Sequence, residues 1–98
     1  MIDFFGFDGV DEAWIKLEKA RARDLRKTRW WQQKTSTGKC HYCGAVISPK
    51  ELTMDHLVPL AMGGHSTRDN LVPSCKTCNN KKKSMMPLEW EEYLDSGK

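Results

Sequence analysis

The pattern of apolar and polar positions predicts a helical N-terminal third followed by a mixed region of short strands and helices. Residues 1–9 are rich in Gly and Phe and have no clear period. From residue 11 to about Gln33, a run rich in Glu, Lys, Ala, Arg and Leu contains no Pro or Gly, and Asp8 or Asp11 can cap its first turn. This run predicts one helix with a basic outer side. Its apolar positions form a ragged stripe: Trp14, Ile15, Leu17, Leu25, Trp30 and Trp31.

After residue 38 the pattern predicts two short strands with an irregular loop between them. The strand candidates are Glu51–Leu57 and Asn70–Pro73, and the loop is Leu60–Arg68. Before the first strand, Lys39–Pro49 is predicted to form a knuckle, because Gly44 permits a tight turn after the second of two closely spaced cysteines. Strands combined with helices indicate the α+β class.

Two short helices are predicted after the second strand. Ser74 can cap the first, which runs from about Cys75 to Lys83. Pro87 follows its end and suits the first position of a last helix, Leu88–Leu94. We expect three side chains of the last helix to face the core: Trp90, Tyr93 and Leu94.

The distribution of charge indicates a polyanion as a partner. The formal net charge of the 98-residue chain is +3, from 16 basic and 13 acidic residues, but the basic residues are concentrated in the middle of the chain. Clustered Lys and Arg favour nucleic-acid binding, although a solvated helix face explains the first cluster equally well. The clusters are Lys16, Lys19, Arg21, Arg23, Arg26, Lys27, Arg29 and Lys34, then Lys76 and Lys81–Lys83.

Four cysteines in two C-x-x-C pairs, Cys40 with Cys43 and Cys75 with Cys78, predict one tetrahedral zinc site. Two disulfides are the alternative, and a redox role is a weaker one. No signal peptide opens the chain, so we expect a cytoplasmic setting, where thiols stay reduced and bind metal. Four sulfur ligands leave no position for water, so this zinc is expected to be structural.

The segment between the two cysteine pairs contains the candidate chemistry. It has 31 residues, against roughly 15–20 in a zinc ribbon, so a further structure must fold inside it. It includes Asp55-His56, a carboxylate that can hold a hard cation beside an imidazole that can take a proton from water. Neighbouring residues on an ideal strand point to opposite faces.

A set of short motifs in this region resembles the HNH endonuclease family, whose fold is the ββα-metal finger. The motifs, in order, are Asp55-His56, Gly63-Gly64, Asn70-Leu71, Cys75-x-x-Cys78 and Asn79. The resemblance implies one HNH endonuclease domain over residues 1–98, with a basic helix at 11–34, a zinc-framed ββα-metal core at 38–84 and a C-terminal helix at 87–95. It also implies metal-dependent hydrolysis of phosphodiester bonds, by nicking or by double-strand cleavage.

The resemblance assigns a role to each of four residues. His56 would be the general base, for which a pKa of about 6.5 is suitable. Asp55 would bind the catalytic cation, and a twist or bulge must then bring it to the same site as His56. Asn70 would bond to loop backbone and keep His56 oriented. Asn79 occupies the place of a histidine in many members, which makes this an HNN variant.

The asparagine at the last position bears on the choice of metal. An amide oxygen is a harder ligand than an imidazole nitrogen, and Asp55 with Asn79 supplies only oxygens, which favours Mg²⁺ or Mn²⁺ over Zn²⁺. We therefore expect two different metals, with Zn²⁺ on the cysteines and Mg²⁺ or Mn²⁺ on these oxygens.

The expected partner is double-stranded DNA, bound with weak sequence specificity by a monomer or homodimer; RNA remains an alternative. Candidate nucleic-acid contacts are His65, Lys81, Lys82, Arg23 and Arg26. The setting expected is intracellular, in a bacterium or phage. The alternative function is a non-catalytic four-cysteine zinc module that binds nucleic acid or protein. Asp55, His56 and Asn79 together favour the enzyme, because a binding module needs none of them.

Overall fold

The computed structural model describes residues 11–83 and 85–96, and its helices and strands confirm the predicted α+β class. The elements are α1 (Glu12–Arg26), α2 (Arg29–Thr35), β1 (Thr53–His56), β2 (Leu71–Ser74), α3 (Lys76–Lys82) and α4 (Pro87–Ser96). Within these residues, no helix has the length and apolar character needed to cross a bilayer.

The predicted N-terminal helix is two helices, so the expectation of a single helix is wrong. Asp11 caps α1 by accepting a hydrogen bond from the Trp14 amide at 2.8 Å, whereas Asp8 lies outside the described residues. Thr28 separates the helices: its hydroxyl donates to the Leu25 carbonyl at 2.7 Å and accepts from the Trp31 amide at 3.4 Å. One side chain thus ends α1 and caps α2 without Pro or Gly.

Strands β1 and β2 form an antiparallel pair in which Asp55 lies opposite Val72 and His56 opposite Leu71. Strand β1 is shorter than the predicted Glu51–Leu57, since a 3₁₀ turn, Pro49–Glu51, takes up the expected strand start. Strand β2 has the predicted length but begins and ends one residue later than Asn70–Pro73. All four residues of β2 are buried. Side chains alternate along β1, so its two faces meet different helices.

The cap of α3 is one residue later than predicted. Ser74 ends β2, and its hydroxyl donates to the carbonyl of Cys75 at 2.9 Å. Cys75 is the cap, because its sulfur accepts a hydrogen bond from the Cys78 amide at 3.4 Å.

Helix α4 covers the region of the cysteines. Pro87 occupies its first turn as predicted, and Trp90, only 2 % exposed, packs in one cluster with Cys40. The Trp90 ring also meets Tyr42 edge to face at 5.4 Å. Leu94 packs against the same cluster, but Tyr93 stacks on the outer side of Trp90 and is 40 % exposed, so its predicted core position is wrong.

Gly38 and Gly44 test the backbone around the knuckle. Both have positive φ, 72° and 76°, so alanine costs about 1–2 kcal/mol at either. At Gly38 a Cβ would also overlap the carbonyl oxygen of Ile47, whereas at Gly44 the nearest atom is in ordinary contact. Thermal unfolding should therefore show Gly38→Ala to be less stable than Gly44→Ala by a further ~1–3 kcal/mol. Equal losses would contradict the close approach at Gly38.

Candidate functional site

The four cysteine side chains converge at one point, as a zinc site requires. All four sulfur atoms lie within 4.8 Å of one another, and those of Cys43 and Cys75 are 3.8 Å apart. A tetrahedron with Zn–S distances of about 2.3 Å has an edge of about 3.8 Å. The separation is far longer than a disulfide bond of about 2.05 Å. The geometry therefore fits the predicted metal centre better than a pair of disulfides.

Backbone amides around the cysteines favour the thiolate form of Cys40. Burial raises the pKa of Cys40, but hydrogen bonds from the backbone of Cys43, Cys75 and Tyr42 oppose this effect, and the pKa is about 6. The Tyr42 amide lies 3.4 Å from the Cys40 sulfur. A thiolate is the form of cysteine that binds metal.

Asp55 lies in a buried polar network between β1, the knuckle and α3. Asp55 is 8 % exposed, and its carboxylate accepts a hydrogen bond from the hydroxyl of Tyr42. Burial, followed by the interaction with Asp55, raises the pKa of Tyr42, so the phenol keeps its proton and donates. Lys82 places its ammonium 3.3 Å from the same carboxylate oxygen, Oδ2. A buried carboxylate is tolerated when it is paired and hydrogen-bonded in this way.

Lys82 holds α3 against β1. Its side chain is 1 % exposed, and its ammonium also donates to the carbonyl of His56 at 3.0 Å. This position differs from the surface phosphate contact predicted from the run of lysines. Lys81 remains exposed on the same helix.

Asn79 faces the same side of β1 as Asp55 does. Its amide donates to the hydroxyl of Thr53 at 2.8 Å, one turn of α3 before the contact of Lys82 with Asp55. Thr53 and Asp55 are two residues apart on a strand, so their side chains share a face. Among residues 11–83 and 85–96, no hydrogen bond engages Asp55 Oδ1 or Asn79 Oδ1. One interface thus presents two hard oxygen donors.

His56 makes its contact on the other side of the strand. Its Nε2 lies 2.9 Å from the hydroxyl of Ser66, and no hydrogen bond joins it to Asp55 in the described part of the chain. The expected twist toward a single site is therefore not visible as a direct contact. Burial is the main cause that lowers the pKa of His56 below 6.5; Asp55 and Glu18 oppose it, and Lys82 and Arg26 add to it.

Asn70 pins the loop that follows β1. Its Oδ1 accepts from the Val58 amide at 2.9 Å, and its Nδ2 donates to the carbonyls of Val58 and His65 at 3.1 and 2.8 Å. Its carbonyl accepts from the Leu57 amide, next to His56. These bonds are of the kind that the family resemblance implies, and they hold the chain on both sides of the loop.

The basic side of α1 adjoins the His56 face of the hairpin. Arg26 approaches the sulfur of Met54 at 4.0 Å, and Arg23 is exposed one turn earlier. His65 is also exposed, with its Nδ1 3.9 Å from the Glu18 carboxylate. Four exposed basic residues of α1 and the residue that follows its end fall on roughly one third of the helix circumference: Lys16, Lys19, Arg23 and Arg26, then Lys27.

Three residues that contact the candidate site were not singled out from the sequence: Glu18, Tyr42 and Ser66. Tyr42 lies between two zinc ligands, where its phenol is read most simply as part of the knuckle. Ser66 and Glu18 are 48 residues apart, and no local pattern connects them.

Comparison with known proteins agrees with the region identified from the motifs. Residues 40–85 match the family model described as HNH endonuclease. The chain is also 47 % identical over 45 residues to the CRISPR-associated endonuclease Cas9 of Corynebacterium diphtheriae. That alignment covers 45 % of this chain and 4 % of the relative, so the chain spans a small fraction of the length of the protein it matches.

Loss of one cysteine tests the metal centre. The wild-type chain should bind about one zinc per molecule, and Cys75→Ser should lose both the zinc and the folded structure, because structural zinc contributes about 10–16 kcal/mol in small domains. Metal analysis and circular dichroism provide the two measurements. Thr77→Ala, at an exposed position between Cys75 and Cys78, is the control and should keep both. A folded Cys75→Ser chain with full zinc content would rule out this ligand set.

Proposed function

We propose that this chain, whose residues 40–85 belong to the HNH endonuclease family, is a metal-dependent endonuclease that hydrolyses phosphodiester bonds in DNA. The observation that carries the proposal is the pair of oxygens, Asp55 Oδ1 on β1 and Asn79 Oδ1 on α3, that no hydrogen bond engages among the described residues. Asp55 lies next to His56 on β1. A relative over the same region is named as an endonuclease, which supports the reaction class.

His56 is the proposed general base. A base must be neutral to accept a proton, and the half-buried position that lowers its pKa keeps the imidazole neutral at physiological pH. Asn70 stabilises the backbone that follows His56 by its bonds to Val58 and His65. The end of β1 that carries the His56 ring is therefore held in place by these hydrogen bonds.

Asp55 and Asn79 are the proposed ligands of Mg²⁺ or Mn²⁺. The Oδ1 atoms are hard donors on one interface, which suits these ions better than the soft four-sulfur site does. Such a cation stabilises negative charge on the phosphate and on the leaving oxygen. Tyr42 and Lys82 hold the other carboxylate oxygen, Oδ2, and so orient Asp55.

The basic side of α1 is the proposed DNA-binding surface. Arg23 and Arg26 would contact phosphates on the side of the hairpin that carries His56, with Lys81 and His65 as further contacts. Phosphate contacts of this kind are independent of sequence and weaken steeply with salt, so we propose weak sequence specificity. One catalytic site per chain makes nicking by a monomer the default. Four cysteines that form no disulfide suit the cytoplasm, where thiols stay reduced and where we propose that the protein acts.

The assignment of His56 is tested by cleavage of supercoiled plasmid. With Mg²⁺ or Mn²⁺ the wild type should produce open circles, and His56→Ala should lower the rate about 10²–10⁴-fold, because it removes the general base. His41→Ala removes an exposed knuckle histidine outside the proposed catalytic set and should cleave at the wild-type rate. Agarose electrophoresis separates open-circular from linear products.

The same assay can separate the enzyme from the non-catalytic alternative. If the wild-type protein binds DNA but does not cleave it with any of the divalent cations tested, the chain is a non-catalytic zinc-binding module. If His56→Ala and the wild type cleave at the same rate, the chain is an endonuclease, but His56 is not its general base.

The direction of the His56 pKa shift predicts the pH dependence. The base is active when deprotonated, and its pKa is lowered from 6.5, so more than half of the maximal cleavage rate should remain at pH 6.5, and the rate should fall below half only under more acidic conditions. Initial rates measured across this pH range at a saturating cation concentration would show the acidic side of the pH–rate profile. A rate that is already halved above pH 6.5 would contradict the assignment.

A further inference from the structure

Ser66 joins the N-terminal helix to the proposed base. Its amide donates to Glu18 Oε1 at 2.6 Å, and its hydroxyl donates to the main-chain carbonyl of Glu18, also at 2.6 Å. The same hydroxyl lies 2.9 Å from Nε2 of His56. Glu18 belongs to α1, outside the region that matches the family.

The short contact between Ser66 and Glu18 decides where the protons lie. A carbonyl oxygen can only accept, and two oxygens 2.6 Å apart repel each other unless a proton lies between them. The single hydroxyl proton of Ser66 is therefore directed to Glu18, and the hydroxyl can only accept from His56. A neutral His56 must then carry its proton on Nε2, which leaves the lone pair on Nδ1.

We propose that Glu18 and Ser66 are positioning residues that hold His56 in the Nε2–H tautomer, so that Nδ1 is the basic nitrogen. The assignment of Nδ1 as the catalytic base rests on the proposed function. The tautomer of His56, and the roles of Ser66 and Glu18 in holding it, do not. Helix α1 is then part of the catalytic unit, although the family match begins at Cys40.

Glu18 is well held for this purpose. It is 1 % exposed, and its carboxylate is engaged on both oxygens: Oε1 accepts from Ser66, and Oε2 lies 3.4 Å from the guanidinium of Arg21. His65 Nδ1 approaches Oε1 at 3.9 Å, and the His65 ring meets Trp14 edge to face. The loop that carries Ser66 is thus attached to α1 by backbone and side-chain contacts, and a buried carboxylate with these partners has no need of a metal.

Nitrogen NMR of the full-length chain labelled with ¹⁵N-histidine tests the tautomer without any cleavage. At about pH 8, where imidazole is neutral, the wild-type His56 should show its proton on Nε2. Ser66→Ala should give a mixture of the two tautomers, and Ser66→Thr, which keeps the hydroxyl, should restore the wild-type signal. Ser36→Ala removes another hydroxyl-to-carbonyl bond, at an exposed position in the turn after α2, and should leave His56 unchanged.

Steady-state kinetics of the Ser66 variants provide a second measurement. A purely structural role of Ser66 would not lower kcat while KM stays unchanged. Ser66→Ala should lower kcat about 10- to 100-fold with KM unchanged, by analogy with the loss seen when a partner that orients a metal-bound histidine is removed. Ser66→Thr should recover most of the rate. If His56 in the wild type carries its proton on Nδ1, the proposal is overturned, and this result does not depend on whether Ser66→Ala folds. A folded Ser66→Ala chain that keeps the wild-type tautomer and the wild-type kcat overturns the proposal as well. Failure of the wild type to cleave any DNA would instead overturn the proposed function, while the NMR result would still decide the role of Ser66.

Discussion

Convergence of the four cysteine sulfurs is the constraint on which the rest of this small domain depends. Few apolar side chains are fully buried in the described residues, and Cys40 and Cys78 are themselves core members beside Trp90. A chain of this size buries too little apolar surface to tolerate the loss of such a centre. The cluster of four cysteines also attaches the knuckle to the start of α3, and α4 covers it. The hairpin between the two cysteine pairs is therefore held at both ends.

Strand β1 separates two polar networks that serve the proposed reaction. On one face, Asp55 is bonded to the knuckle and to α3 through Tyr42 and Lys82. On the other, His56 reaches Ser66, and through it α1. The cause is the alternation of side chains along a strand, which gives two neighbouring residues different surroundings. The surroundings of each residue are therefore set separately. The Asp55 carboxylate is compensated by a positive charge, and the His56 imidazole is kept neutral by burial.

Elements set by local chemistry were predictable, and those set by competition between neighbours were less so. Asp11 caps α1 and Gly44 makes its turn with positive φ, because these preferences belong to the residue itself. The break at Thr28 was missed, since composition favours an uninterrupted helix and only the side-chain bonds of Thr28 reverse that preference. At the start of α3, Ser74 and Cys75 can both cap, and pairing of Ser74 in β2 leaves the role to Cys75.

The sequence alone predicted the cluster of four cysteines, the order of the motif residues and the region that matches the HNH endonuclease model. Those features depend on residue type and short spacing, which a linear chain displays directly. Only the tertiary structure decided which groups surround the two central residues: Lys82 buried against Asp55, and Glu18 joined through Ser66 to His56. Such contacts connect residues that are far apart in the chain. They arise because α3 packs on one face of β1, while α1 packs on the loop after β1 and reaches the other face through single side chains. No local period or propensity carries that information, so the environment of the site became visible only in the fold.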